Sequence, residues 1–289
     1  MNWKEFLNWC RVHDLSVSTE SEIPYGTSVE VLHPSGEKVR VNHYTTGKYN
    51  VQGKDSTLKL KISNLLGTNG AKSQEPLNDE FNLFMGSDES GKGDYFGPLV
   101  VVACYAPEEQ HKSLLDMGIR DSKKIRDQKI RDMAEEIMAK CDYEAQILCP
   151  KPYNLTYDRL GNLNQILQEM HTKAHTELYK RCKNARGILV DQYTSRAEDL
   201  KASLAPLKLP VLQRIKAEAY LPVAAASILA RFFFLKELDQ MSNRWSMTFP
   251  KGASAEVEEA ARDFLQTYSV EEMQEVAKMH FATSKKLGV

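Results

Sequence analysis

Apolar and polar positions divide the 289-residue chain into two unequal stretches joined by a polar, breaker-rich segment. In the first stretch Trp3, Phe6, Leu7 and Cys10 recur at helical spacing, which predicts a short amphipathic helix over residues 3–12. The patterns of residues 27–32 and 38–44 predict two strands, with His33-Pro34-Ser35-Gly36 as the turn between them. A third short strand is expected around Tyr49 and Val51. Leu58, Ile62, Leu65 and Leu66 predict a helix from about Ser56, although Leu58, Leu60 and Ile62 also suit a strand. The run from Gly67 to Pro76 is rich in Gly, Asn, Ser and Gln and predicts a linker. The expected organisation is a small domain over 1–66, a linker over 67–81 and a larger domain over 82–289.

In the second stretch, Leu99 to Tyr105 is a continuous apolar run and predicts a buried strand. Ile130, Met133, Ile137 and Met138 lie on one face of a helix that Asp121 or Ser122 could cap. Residues 143–148 predict a strand. A long helix is expected over 162–182, with Leu163, Ile166, Leu167, Met170, Ala174 and Leu178 inward. Gly187 to Asp191 reads as a short apolar strand ending in a carboxylate, although Asp191 would also suit a turn. Val211 to Ala217 reads as another, with Glu218 immediately after it. Pro222 opens a helix whose alanine run lets its backbone press close to a sheet, and Ser227 and Arg231 share one face of it. Two tail helices follow, one containing Val257, Ala261, Phe264 and Leu265, the other capped by Ser269 with Glu272. Strands alternating with helices place this stretch in the α/β class.

Composition narrows the function classes. Hydrophobic residues make up 42% and charged residues 27%, which is ordinary for a globular protein. No apolar run is long enough to span a membrane and no signal-peptide core is visible, so a cytoplasmic protein without a membrane partner is expected. The five cysteines are odd in number and lack a Cys-x2-Cys pair, which argues against zinc and against a disulfide framework. A net charge of -1 is uninformative, but its distribution is not. Between residues 38 and 61 there are six Lys or Arg against one acid, Asp55. Lys38, Arg40, Lys48 and Lys54, interleaved with Tyr44 and Tyr49, suit a nucleic-acid-binding face, and equally a solvated basic surface.

The chemistry concentrates in Gly86-Ser87-Asp88-Glu89-Ser90-Gly91-Lys92-Gly93. Its Gly-x4-Gly-Lys spacing imitates a phosphate-binding P-loop, but Gly93 replaces the Ser or Thr that would hold magnesium. Gly97 and Pro98 then lead into a strand where a P-loop needs a helix, so a P-loop is excluded. Neighbouring side chains of a strand point to opposite faces. For Asp88 and Glu89 to share a site, the strand is therefore expected to end or bend between them, helped by the glycines that follow. A tight hairpin with solvated acids is the alternative. His171 and His175 stand four apart on the long helix, but no third ligand is evident and a surface or packing role is favoured over metal.

Asp88, Glu89, Asp191 and Glu218 each lie at or near the end of an expected strand. Hard divalent cations take oxygen ligands, and a pair of them can clamp both oxygens of a phosphodiester displacement. In this setting the motif from Gly86 to Pro98 resembles the signature of bacterial ribonuclease HIII. Asp121-Ser122-Lys123-Lys124, Val190-Asp191, Lys216-Ala217-Glu218 and Val223 to Arg231 match in the family's order. Pro250-Lys251-Gly252-Ala253 and Lys278-Met279-His280-Phe281 extend the resemblance to the end of the chain. The related type HII enzymes share the Asp-Glu start but usually have Asp as the fourth acid and lack the N-terminal domain.

The resemblance implies an RNase H-like mixed sheet with flanking helices, plus a small N-terminal α+β domain like the TATA-binding protein that grips substrate. It implies a monomeric endonuclease that cuts the RNA strand of RNA–DNA hybrids, leaving 5′-phosphate and 3′-hydroxyl ends. The four acids would hold Mg2+ or Mn2+ and carry the catalysis. Gly91, Lys92, Gly93, Tyr95, Ser122, Lys123, Ser227 and Arg231 would contact substrate. Two other activities stay open: incision at single ribonucleotides in DNA, as by type HII enzymes, and hybrid binding without catalysis.

Overall fold

The computed structural model describes residues 2–54, 56–66, 81–119, 126–194 and 197–289. The chain divides into two units, Met1–Leu77 and Asn78–Val289. Most of the expected linker, along with Ser122 and Lys123, lies outside the described residues.

The N-terminal unit opens with α1 (Trp3–Val12), capped by a reciprocal Asn2–Glu5 capping box. Two very short strands follow, β1 (Ser16–Val17) and β2 (Ser21–Ile23), which the sequence pattern did not predict. The long hairpin of β3 (Gly26–Leu32) and β4 (Lys38–Tyr44) is extended by β5 (Tyr49–Gln52) and followed by α2 (Thr57–Leu65). The sheet runs β1-β3-β4-β5, with β2 also paired to β3. Val29, Val31, Val39 and Val41 form its core with Phe6, Cys10, Leu58 and Ile62. That core gives the unit its expected α+β character.

In the C-terminal unit a mixed sheet, in the order β10-β9-β6-β7-β8, has helices on both faces. Its strands are β6 (Met85–Ser90), β7 (Leu99–Tyr105), β8 (Asp142–Leu148), β9 (Ile188–Asp191) and β10 (Val211–Arg214). β6 pairs parallel with β9 and antiparallel with β7. Every residue of β7 is buried, as expected for a strand covered on both sides. Leu99, Val101 and Ala103 face α6 (Leu163–Tyr179), whereas Val100, Val102 and Cys104 face α8 (Leu221–Trp245) and α4 (Asp127–Lys140).

The remaining helices are α3 (His111–Asp116), α5 (Pro150–Leu160), α7 (Ala197–Leu204), α9 (Ala255–Thr267), α10 (Val270–Met273) and α11 (Ala282–Leu287). The helix α10 carries the Ser269–Glu272 capping box expected from sequence. Gly86 explains how α8 sits against the sheet. A Cβ there would lie 2.4 Å from the backbone of Pro222 and Val223, so only glycine admits this approach. Ala224, Ala225 and Ala226 continue the thin interface.

A candidate site between two faces of one sheet

The strand β6 neither ends nor bends between the two acids. Its pairing with β7 continues through Asp88↔Val102, Glu89↔Val101 and Ser90↔Val100. Regular alternation therefore sends the two carboxylates to opposite faces, which corrects the expected bend. Asp88 meets α8, where it is hydrogen-bonded to the Ser227 side chain. Glu89 turns toward α6, with Oε2 3.8 Å from Nε2 of His171.

The parallel register of β6 and β9 ends at Ser87↔Val190, so Asp88 and Asp191 are the next residues of neighbouring strands. Burial, then Glu89, and also Asp191 push the Asp88 carboxyl up to about 7, against the opposing Ser227 hydrogen bond. Ala217 N–H donates to Oδ1 of Asp191 at 2.8 Å. That bond places Glu218 one residue from the atom holding Asp191. The strand β10 stops at Arg214, however, and Glu218 lies in a short 3-10 turn after Lys216, whose φ is +58°. The expected strand to residue 217 is thus three residues too long.

On the other face, burial alone would raise the Glu89 carboxyl, but His171 and then Lys92 outweigh it and hold it below the usual range. Lys92 Nζ lies 3.5 Å from Glu89 Oε1 and donates to the Tyr193 carbonyl. His171 and His175 are wholly buried. Ser87 Oγ sits between them, 2.9 Å from Nδ1 of His171 and 2.8 Å from Nε2 of His175. The Tyr193 ring stacks on His171 with its centroid 4.9 Å away. Of the two roles expected from sequence, surface or packing, full burial excludes the surface one, and the link to Glu89 is not visible in the sequence pattern. Their spacing on the inward face of α6, beside Met170 and Ala174, was the available signal of burial.

Other expected contacts divide. Gly91 is buried at φ +88°, where a Cβ would meet the Pro98 carbonyl, so it shapes the loop. Gly93 is exposed, with open space above it. Tyr95 is wholly buried and bonded to Ser284, which corrects its expected place against substrate. Arg231 reaches Asp127 on α4 at 2.6 Å. In the N-terminal unit Lys48 and Lys54 are exposed, and Lys38 and Arg40 both pair with Glu30. Tyr44 alternates onto the same face as Arg40, but Tyr49 does not. It pairs with His43, on the side of Val41 and Val51, and stacks with His43 and Trp3. Tyr49 therefore leaves the expected basic face.

Among the described residues, no group of three or more His, Cys, Asp or Glu side chains is drawn together enough to hold a metal ion by itself. The donor chemistry nevertheless suits a hard divalent cation. Mg2+ keeps several waters and is usually held by one or two carboxylates together with substrate oxygens. Asp88 is lifted by burial and, after it, by repulsion from Glu89 and Asp191, and that repulsion is what such a cation would relieve.

The sequence model of the family described as Ribonuclease HII matches residues 85–284. A ribonuclease HIII of Exiguobacterium sibiricum is 40% identical over 207 residues, covering 70% of this chain and 67% of the relative. A ribonuclease HIII of Chlamydia felis is 35% identical over 271 residues, covering 91% and 88%. Among solved structures, Bst-RNase HIII in complex with Mn2+ superposes with a TM-score of 0.65 at 27% identity, covering 99% of this chain and 96% of that one.

Proposed function

The chain belongs to the ribonuclease HII family, in its ribonuclease HIII branch, and from that premise we propose that Asp88, Glu89, Asp191 and Glu218 form the metal-binding centre of a ribonuclease H. It is a metal-dependent endonuclease of phosphodiester bonds, acting on the RNA strand of RNA–DNA hybrids with Mg2+ or Mn2+. The observation that carries the assignment of the centre is the adjacency of Asp88 and Asp191 at the ends of paired strands; burial, then the charge of Glu89 and also that of Asp191, raise the Asp88 carboxyl to about 7.

When bound, divalent ions supply Lewis-acid polarisation of the scissile phosphate and a more acidic attacking water. The protein's own groups hold the frame. Ser227 orients Asp88 from α8, the Ala217 N–H orients Asp191, and Lys92 and His171 bracket Glu89. The exposed backbone at Gly93 gives a ribose 2′-hydroxyl room to approach. Lys48, Lys54 and Tyr44 of the N-terminal unit would contact backbone phosphates away from the cut. Among the described residues no helix is long and apolar enough to cross a membrane. The free cysteines suit a reducing cytoplasm, and the chain is read as a monomer.

The test is digestion of an end-labelled RNA–DNA hybrid, with and without EDTA, with product ends analysed. Cleavage to 5′-phosphate and 3′-hydroxyl ends that EDTA abolishes is expected. Cleavage only at single ribonucleotides in DNA would instead favour a type HII specificity, and binding without cleavage would remove the enzyme reading.

A further inference from the structure

Behind Glu89 lies a buried polar chain of which the metal-centre reading uses only the last member: His175, Ser87 and His171 in line, with His171 facing the Glu89 carboxylate. Its hydrogen atoms can be assigned by elimination. Ser87 has one hydrogen to donate and two imidazole nitrogens beside it, so at most one ring can accept from it, and when the hydroxyl donates within this chain the other ring donates. If His171 donated from Nδ1, its bare Nε2 would face the acceptor-only Glu89 carboxylate. Ser87 would then donate to Nε2 of His175, leaving the Nδ1–H of His175 buried with no acceptor, since that atom has no hydrogen-bond partner. The reverse order removes both faults. Nε2–H of His175 donates to Ser87, Ser87 donates to Nδ1 of His171, and Nε2–H of His171 points at Glu89. What remains is a bare acceptor on His175 and the 3.8 Å gap between Nε2 of His171 and Oε2 of Glu89, neither of which has a hydrogen-bond partner; across that gap an N–H is attracted by the carboxylate where a bare nitrogen is repelled. Burial pulls the His175 pKa down to about 3, so that ring is neutral in either order.

We infer that His171 is a positioning residue for Glu89, with its Nε2–H aimed by the Ser87–His175 pair and its ring plane held by Tyr193. The 3.8 Å gap to Glu89 is of the kind that closes when a site is loaded. Every member of the chain sits on a regular element, Ser87 on β6 and the histidines on α6. The device therefore fixes which way the carboxylate of the α6 face turns across the sheet edge. This rests on the reading of Glu89 as a metal ligand. Partners of this kind typically change metal affinity by about 10–100-fold.

The first test is the imidazole 15N spectrum of the full-length, metal-free protein. A protonated Nε2 and a bare Nδ1 on His171 are expected; a protonated Nδ1, in a neutral or a cationic ring, overturns the inference. The second is Mn2+ binding without substrate, read by electron paramagnetic resonance. His171→Ala should weaken Mn2+ binding about 10-fold with hybrid affinity in EDTA unchanged, and His171→Gln, which can still present an N–H, should recover part of the loss. Unchanged Mn2+ affinity in folded His171→Ala contradicts the inference. Should that variant not fold, Ser87→Ala carries the test, because it should leave His171 a mixture of tautomers; an unaltered tautomer overturns the chain. Asp88→Asn separates the two readings. Should Asp88→Asn bind Mn2+ normally, the metal-centre assignment itself fails; should Asp88→Asn lose binding while His171→Ala does not, only the positioning role fails.

Discussion

Oδ1 of Asp191 accepts the backbone N–H of Ala217 at 2.8 Å, so a carboxylate at the end of one strand is held by the turn that carries Glu218. Glu218 could otherwise be a surface acid paired with Arg214 or Lys216. Arg214 is turned toward Phe81, with its guanidinium carbon 4.8 Å from the ring centroid, and toward the Tyr220 hydroxyl. Glu218→Gln should lower hybrid turnover by about 100-fold or more with little loss of hybrid binding. A surface pair is worth under about 1 kcal/mol and would leave turnover unchanged across a Mg2+ titration, which would return Glu218 to the surface.

Gly86 is expected to tolerate no side chain. Alanine would place its Cβ 2.4 Å from the α8 backbone, which cannot yield as a flexible side chain would. Gly86→Ala should cost about 1–3 kcal/mol in urea unfolding and move Ser227 away from Asp88. A variant as stable as the parent would show that α8 does not press on β6 as closely as described.

The alternation rule was enough to find the acidic strand and its buried neighbour, but it was applied with a wrong premise. The expected bend came from assuming that acids sharing a site must lie on one face. Here Asp88 and Glu89 are served from opposite faces, by Ser227 and His171, and no single-strand pattern can show that. Tyr49 was within reach of sequence reasoning: Val39 and Val41 place His43 on the core side, and hairpin pairing then carries Tyr49 with it. By contrast, α5 left little apolar trace, because polar Asn154 anchors it. Its side chain donates to the carbonyls of Gln274 and Ala277 and accepts from the N–H of Met279. β1 and β2 are too short for any period to register. Tyr95 was assigned by resemblance, and nothing in its neighbours signals that it is wholly buried.

Lys278 links pH to stability. It is buried, and Nζ donates to the carbonyls of Asp94 and Gly97 at 2.7 and 2.6 Å. Burial pulls its pKa down to about 7, and the neutral amine still has two N–H groups for those two carbonyls. The folded value lies below the ordinary 10.5, so the unfolded chain binds more protons between about pH 7 and 10.5. The contribution of Lys278 is therefore fully present above that range and lost as pH falls through about 7. The stability of the parent relative to Lys278→Met should rise by up to ~1.4 kcal/mol per pH unit across this window. Denaturant melts at several pH values check it, and a flat difference would contradict the buried, proton-shedding lysine.

Removing the N-terminal unit should weaken hybrid binding and flatten its salt dependence while leaving residual cleavage. Each lost phosphate contact should lower the log–log salt slope by roughly 0.9 on duplex DNA, somewhat differently on a hybrid. Equal affinity and equal slope in the full-length chain and in residues 78–289 would remove the basic face from the substrate path.

The most direct measurement is hybrid turnover by Asp88→Asn across Mg2+ and Mn2+ titrations, with the fold checked by circular dichroism. Asp88 sits where β6, β9 and α8 meet, and its carboxyl is raised first by burial and then by the negative charges of Glu89 and Asp191. Asparagine keeps the shape and removes the charge a cation would answer. The expected result is a folded protein with turnover lowered by orders of magnitude at every metal concentration. Near-normal turnover in saturating Mg2+ would contradict a metal centre built on these acids.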